Sequence, residues 1–476
     1  MDKKATLAAL FLVILGFFTY FYNYQNPPKQ FWDENYHIAS AQKYIDRVMF
    51  MEPHPPLGKM LIALGEVLLH PNEQIDKKGF DSTDYIKRFP KGMSFAGYRF
   101  FPTLFAWLNV VLFFLILKEL TGHMLLSFFG SFLYLFDNAL IVHSRAAMLE
   151  SIQLFFVFLA ILWFVRQYEA PKKIWEYLLL GIFTGFALAV KANSAILFLL
   201  FVLWVFKDIR SFGLSWKKIW QTLAYGAGAA AIFLGVFYLH FAFGQKVVEH
   251  RYYAASKEYK QILAKKESAD LKHFWIMLRD NLKYMSDYQK GVPKLNLCKP
   301  GENGSLFIGW PLGIKAINYR WEKHGSEVRY IYLQGNPVTW MIGFLAVLLS
   351  GVLVLSVWLF ELPVKNRRTF EFITSFFFIY ISYMIAVGQI PRVMYLYHYF
   401  IPLTISYILA VLLLFYLYEE EIKKGDKLVW TSVVLIATAI VFAWWFFSPF
   451  TYYKPLNTEQ FNERVWFDFW QLKAIR

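Results

Sequence analysis

Apolar runs recur from one end of this chain to the other, many near the ~20 residues that cross a bilayer as a helix. They predict spans at 5–22, 98–117, 122–140, 149–165, 175–190, 194–206, 219–243, 338–360, 370–387, 398–418 and 428–447, eleven in all, of which 194–206 is short. The first run ends in aromatics and lacks a small-x-small cleavage site, so it reads as an uncleaved span and not a signal peptide. The expected class is an all-α polytopic membrane protein. It divides into a seven-span module (1–243) with a polar loop at 23–97, a soluble segment (244–337), a four-span module (338–447) and a tail (448–476). The tail follows an aromatic cluster suited to a membrane interface, Trp444-Trp445-Phe446-Phe447.

Composition agrees: 57% of residues are hydrophobic and 17% charged, against roughly 25% charged in soluble domains. The net charge of +15 admits a nucleic-acid surface or the Lys/Arg enrichment of cytoplasmic loops. The charges favour the second. Alternate short loops hold Lys118; Arg166, Lys172 and Lys173; Lys207, Arg210, Lys217 and Lys218; Lys365, Arg367 and Arg368; and Lys423, Lys424 and Lys427. The opposite short loops hold only Arg145, Lys191 and Arg392. The N-terminus is therefore expected in the cytoplasm, with 23–97, 244–337 and the tail on the outer face. Membrane lipids, not nucleic acid, are the expected contact. A lone Cys298 excludes an intrachain disulfide. No internal repeat, P-loop, Rossmann fingerprint or zinc signature is present.

Chemistry concentrates between Phe31 and Glu66, directly after the first span. Asp33 can cap a helix running to about Arg47, with Ile38, Ala41, Ile45, Val48 and Met49 on one stripe suited to an interface. A helix N-terminus keeps an acid ionised, as a general base must be. Adjacent side chains diverge, so Asp33 and Glu34 are expected to do different work. Capping outside the membrane is the plainer alternative for the pair. Pro55 pushes His54 into extended geometry, and Pro56 is placed to open a second helix, Leu57–Leu69. Lys59 and Glu66 share a face of that otherwise apolar helix. His54 is a candidate ligand or proton shuttle, or a packed cap. Arg99, Arg145, Lys191 and Arg392 each stand at the outer end of a span, where a cation either snorkels to headgroups or helps build an anion site.

FWDENYHIASAQKYI…EPHPPLGKMLIALGE resembles the first luminal loop of protein O-mannosyltransferases, with its Asp-Glu pair and His-Pro-Pro-Leu-x-Lys motif. HSRAAMLESIQLFF (143–156) is similar to the family's Ser-Arg-x-x-x-Leu-Asp stretch, with Glu150 where the acid is usually Asp. ALAVKANSAILF (187–198), the Trp-Pro-Leu and Gly-Asn-Pro-Val motifs within 308–343, and PRVMYLYHYFIPL (391–403) resemble further family segments in order. The resemblance implies the GT-C class of membrane glycosyltransferases, with seven N-terminal spans and a variable C-terminal part, and a polyprenyl-phosphate sugar donor; the expected fold is a GT-C glycosyltransferase fold of about eleven transmembrane helices with interfacial helices in the first external loop. It implies attack by an acceptor hydroxyl, with inversion at the anomeric carbon. An outer site without a nucleotide motif also argues for a lipid-phosphate donor, since nucleotide sugars are cytosolic.

On this reading Asp33 takes the acceptor proton and Glu34 positions acceptor or sugar. Arg99, Arg145, Lys191 and Arg392 meet the donor phosphate. Glu150 bonds sugar hydroxyls or orients Arg145, and Tyr397 and His398 line the phosphate or lipid entrance; His54 and Lys59 support. No metal is required, though a carboxylate–phosphate site can recruit a divalent cation. Eukaryotic members carry a β-trefoil MIR domain between the seventh and eighth spans, for which 244–337 is too short. The expected setting is a prokaryotic inner membrane, with protein Ser/Thr as acceptor and mannose as sugar; family members can pair as dimers. The alternatives are a lipid-modifying transferase of the aminoarabinose type, a transporter of lipid-linked sugars, and a non-catalytic lipid-binding subunit.

Overall fold

The structure, a computed structural model, describes residues 3–475. Helices form at all eleven predicted positions. α1 (Lys3–Gly16) runs into a π turn at Phe17–Phe21. The first loop folds as α2 (Glu34–Ile45) and α3 (Leu57–Leu69). Then come α4 (Ala96–Thr121), α5 (Met124–Gly130), α6 (Phe132–Leu135), α7 (Asn138–Ser144), α8 (Glu150–Arg166), α9 (Ile174–Val190), α10 (Phe198–Phe212) and α11 (Lys217–Phe243). The next segment holds α12 (Lys257–Ala264), α13 (Phe274–Gly291) and a hairpin of β1 (Ile317–His324) and β2 (Glu327–Leu333). Finally, α14 (Pro337–Phe360), α15 (Arg367–Gly388), α16 (Phe400–Leu417), α17 (Glu419–Lys424) and α18 (Lys427–Thr451) precede the short β3 (Pro455–Leu456). Among the described residues eight helical stretches are long and apolar enough to cross a membrane. A ninth is reached if Met124–Leu135 and Asn138–Ser144 count as one span. The remaining two positions, α8 and α9, hold helices of 17 residues each. The chain is an integral, mostly helical membrane protein.

Two compact units interleave along it. One comprises Met1–Tyr22, Trp107–His143 and Lys294–Arg476; the other Asn23–Ala106 and Ser144–Pro293.

In the first unit, the expected single span at 122–140 is broken by a 61° bend between Leu135 and Asn138 and continues to Ser144. The cause is Asp137, fully buried at the break. Its Oδ1 accepts the Leu140 N–H at 2.8 Å and so starts α7. Its Oδ2 accepts from Thr339 Oγ1 at 3.0 Å, Trp340 Nε1 at 2.7 Å and Tyr407 Oη at 3.0 Å. The bend is thus tied to α14 and α16. The β-hairpin is an addition to the all-helical expectation. Gly325, at φ +62°, opens its two-residue turn in a conformation costly for other residues. β3, from the tail, pairs with β2.

In the second unit, α9 and α11 meet backbone to backbone. A Cβ on Gly181 would lie 2.1 Å from the Tyr225 carbonyl oxygen, and one on Gly228 2.4 Å from that of Leu178. Small residues give membrane helices this close approach. A core of Ile38, Ala41, Ile62, Leu149, Ile152 and Val190 draws α2, α3, α8 and α9 together. The predicted stripe on α2 does carry Ile38 and Ala41, but the helix buries ten of its twelve residues. It also ends two residues early, leaving Val48 to bridge Lys246 in extended chain. α3 begins and ends where expected, with an inverted pattern. Lys59 and Glu66 are buried while Leu64 and Leu68 are exposed, as suits a helix whose outer side meets lipid.

Candidate functional site

The acid pair sits where the chain turns from the first span into α2. Asp33 occupies the N-cap position, but its side chain makes no capping hydrogen bond. Glu34 turns the other way, fully buried, and meets an equally buried Arg99 near the start of α4. Glu34 Oε1 accepts from Arg99 Nε at 2.7 Å and from the Ala147 N–H at 2.9 Å. Its Oε2 accepts from Arg99 Nη2 at 2.8 Å and the Phe31 N–H at 3.0 Å. The other Arg99 N–H groups go to the carbonyls of Gln25, Pro27 and Lys29 at 2.7–2.9 Å. Phe31 and Phe95 cover the guanidinium, with ring centroids 4.8 and 4.6 Å away. All five guanidinium donors and both carboxylate oxygens are occupied. The sequence suggested phosphate contact for Arg99 and acceptor or sugar contact for Glu34; in this structure the two hold each other and the irregular segment before α2.

Asp33 is different. It is partly buried, and its carboxyl is pushed up to about 6, first by burial and then by the field of Glu150; Lys191 and Lys59 act in the opposite sense. Glu150 is the first residue of α8 and Lys191 follows the last residue of α9. Each charge complements the helix dipole at its position, and the two form a buried ion pair. Gln153, one turn along α8, fixes the chain after Lys191 by donating to Asn193 Oδ1 and Ser194 Oγ, both at 2.6 Å. Lys59 reaches Glu52 at 2.5 Å and Ser40 Oγ at 3.3 Å, and Glu66 instead accepts from Asn72 and Lys77. Arg145 donates through Nη2 to the Asn23 carbonyl at 2.7 Å.

One member of this cluster was missed. His37 lies one helical turn beyond Asp33, is only 8% exposed, and its Nδ1 has no hydrogen-bond partner. Burial, followed by Lys59, holds its imidazole well below the usual range, with Glu150, His54 and Lys191 also acting on it. The i,i+4 spacing from Asp33 was the available signal. Glu52, the partner of Lys59, carried no such signal.

Asp33, His37, His54, Lys59, Glu150 and Lys191 are thus electrostatically one group within the second unit. Arg392, Tyr397 and His398 belong to the first unit. There His398 Nδ1 faces the Tyr395 backbone, with its N at 3.3 Å and O at 3.0 Å, and Tyr397 stacks on His143 at 4.9 Å. Among the described residues no three His, Cys, Asp or Glu side chains gather as ligands for a metal ion.

Such a fold and site define a polytopic helical membrane protein with a charged cluster anchored at its helix ends. The chain matches the dolichyl-phosphate-mannose-protein mannosyltransferase family over residues 10–244, and the C-terminal four-transmembrane region of protein O-mannosyltransferase over residues 275–470. It belongs to that family. It is 30% identical over 246 residues to dolichyl-phosphate-mannose–protein mannosyltransferase 1 of Candida albicans, covering 48% of this chain and 27% of that protein. It is 29% identical to protein O-mannosyl-transferase 1 of Danio rerio, covering 48% and 33%. The chain thus spans about a quarter to a third of the length of these relatives. In fold it is similar to the S. cerevisiae protein O-mannosyltransferase Pmt1-Pmt2 complex bound to the sugar donor, with a TM-score of 0.79 at 15% identity over 98% of this chain and 92% of that one. It is also similar to an Archaeoglobus fulgidus oligosaccharyltransferase, with a TM-score of 0.52 at 12% identity over 96% and 55%.

Proposed function

We propose that the chain is a membrane glycosyltransferase that moves mannose from a polyprenyl-phosphate donor to Ser or Thr hydroxyls of proteins. The reading is carried by Asp33, an acid free of its capping bond, set among lysines at helix ends, with a pKa of about 6. A base of that strength is ionised at neutral pH and still holds a proton well as it is transferred.

In the reaction the acceptor oxygen attacks the anomeric carbon from the face opposite the phosphate. Asp33 takes the hydroxyl proton as the new C–O bond forms. The bond to the phosphate oxygen breaks, its electron pair leaves with polyprenyl phosphate, and the anomeric configuration inverts. Lys191, Lys59 and Arg145 meet the charge that grows on the phosphate, in a site where fixed charge is worth more than in water. His37, with a free Nδ1, bonds a sugar or acceptor hydroxyl, and His54 stands beside it. Glu150 sets the position of Lys191. The Glu34–Arg99 pair holds the loop that aims Asp33. The 244–337 segment serves the acceptor.

The distribution of Lys and Arg supports an N-terminus in the cytoplasm and a site on the outer face. The length of the 244–337 segment supports a prokaryotic cytoplasmic membrane. The similar S. cerevisiae structure is a complex of two such proteins, and a dimer is proposed here by that likeness. The test is transfer of label from polyprenyl-phosphate mannose by purified protein to a membrane extract, split into protein and lipid fractions. Label in protein, lost in Asp33→Asn, is the expected result. Label in lipid would move the acceptor, and no transfer would overturn the reading.

A further inference from the structure

We propose that the start of α13 is a peripheral membrane anchor that seats the 257–291 segment on anionic lipid headgroups. Its depth follows from its contacts with α11. Tyr238 Oη donates to the Ala269 carbonyl at 3.0 Å, and Phe274 packs on Tyr238 and Phe241 with ring centroids 6.5 and 6.0 Å away. α11 is a spanning helix that ends at Phe243. Tyr238 is five residues from that end, roughly 7 Å along the axis. The turn into α13 is therefore level with the boundary between headgroups and acyl chains. Leu239 and Phe243 of α11 are exposed at the same level, where lipid lies.

At that depth three large apolar side chains face outward: Leu271 (69% exposed), Trp275 (65%) and Leu282 (41%). Leu271 stands in the 3₁₀ turn that leads into α13, and Trp275 and Leu282, seven apart on the helix, share one of its faces. Next to that face Arg279, Lys283 and Lys290 form a basic stripe on α13, with Lys272 in the preceding turn, all exposed. The inner face, with Phe274, Met277, Leu278 and Asn281, is buried against the unit. A helix with an apolar stripe beside a basic one, at headgroup depth, has the form of an interfacial anchor. Tryptophan favours that zone, and long basic side chains reach from it to phosphate. Residues 257–291 carry eight Lys and Arg against five Asp and Glu, so an anionic surface is the complementary one. Asp270, Asp280 and Asp287 pair with Lys272, Arg279 and Lys290 and moderate the attraction without reversing it.

The single, exposed Cys298 makes a clean test available. In a Cys298→Ser background, Leu271→Cys, Trp275→Cys and Leu282→Cys would each carry a fluorophore in the full-length protein. Asp287→Cys, on another side of the helix, is the control. The proteins are placed in nanodiscs of phosphatidylcholine alone or mixed with phosphatidylglycerol. Quenching by headgroup-level spin-labelled lipid is compared with quenching by aqueous iodide. The expected result is loss of about half the emission to the lipid quencher at all three sites, and iodide quenching at the control. Arg279→Gln with Lys283→Gln should reduce the lipid quenching in the anionic discs and leave it unchanged in the neutral ones. Iodide quenching at all three sites would overturn the proposal. So would shielding from both quenchers, which would mean that a protein surface covers the stripe. The readout is independent of sugar transfer.

Discussion

Two acids, one in each unit, are both withdrawn from water and have opposite surroundings. Asp137 has neutral donors on both oxygens, one from the backbone and three from side chains of α14 and α16. Asp33 lacks even the bond that its N-cap position offers. Burial alone therefore does not mark a working carboxylate; the occupancy of its lone pairs does. An acid with filled lone pairs is a fastener, and here it fixes a helix break. An acid with open ones, raised toward neutrality by burial and a like charge, can accept a proton. By that criterion Glu34 belongs with Asp137, although it is the neighbour of Asp33 in sequence.

Substitutions should separate the two kinds. Asp33→Asn should lower transfer by about 10²–10⁴-fold. The thermal midpoint should be equal or higher at pH 7.5. A carboxyl raised from 3.8 to about 6 on folding favours the folded state below the lower value and loses that advantage as pH rises through the upper one. A large fall in the midpoint would make Asp33 a fastener too. Arg99→Met should do the reverse. It leaves Glu34 buried and unpaired, at a cost of about 3–5 kcal/mol, seen as lost yield and early unfolding in detergent. Asp137→Asn should cost less, about 1–3 kcal/mol, while transfer per folded molecule stays at the wild-type level. On the proposed role of Asp33, the pH profile of kcat/KM should rise about tenfold per unit up to pH ~6 and then level, since a base acts only when ionised. A profile flat down to pH 4.5 would remove Asp33 from that role. His37→Phe should show the smallest effect, about two- to tenfold, in KM if the lost bond is to the bound substrate.

The spans were legible because lipid demands long apolar runs, and α3 was legible to the residue because Pro56 sets its start. The bend at Asp137 was not. It depends on Thr339, Trp340 and Tyr407, some two hundred residues or more away in sequence. The same limit applied to Glu34 and Arg99. Each looked available for a ligand in sequence, and only the fold gives them to each other. Charge and position singled out Asp33, Lys59 and Lys191, the family resemblance added Glu150, and the fold brings the four into one electrostatic group. His37 was passed over because an isolated histidine on a helix is an ordinary sight. What distinguishes it is an empty Nδ1 in a buried place, a property of the surroundings and not of the residue.

The Glu34 carboxylate also imposes an order on synthesis. Half of its bonds are to Arg99, sixty-five residues later, and another is to the amide of Ala147. A nascent chain that has completed α2 and α3 offers that carboxylate only the amide of Phe31. The loop carrying Asp33 gains its main fastener only when α4 brings Arg99, and its last bond only after the ribosome has passed the break at Asp137.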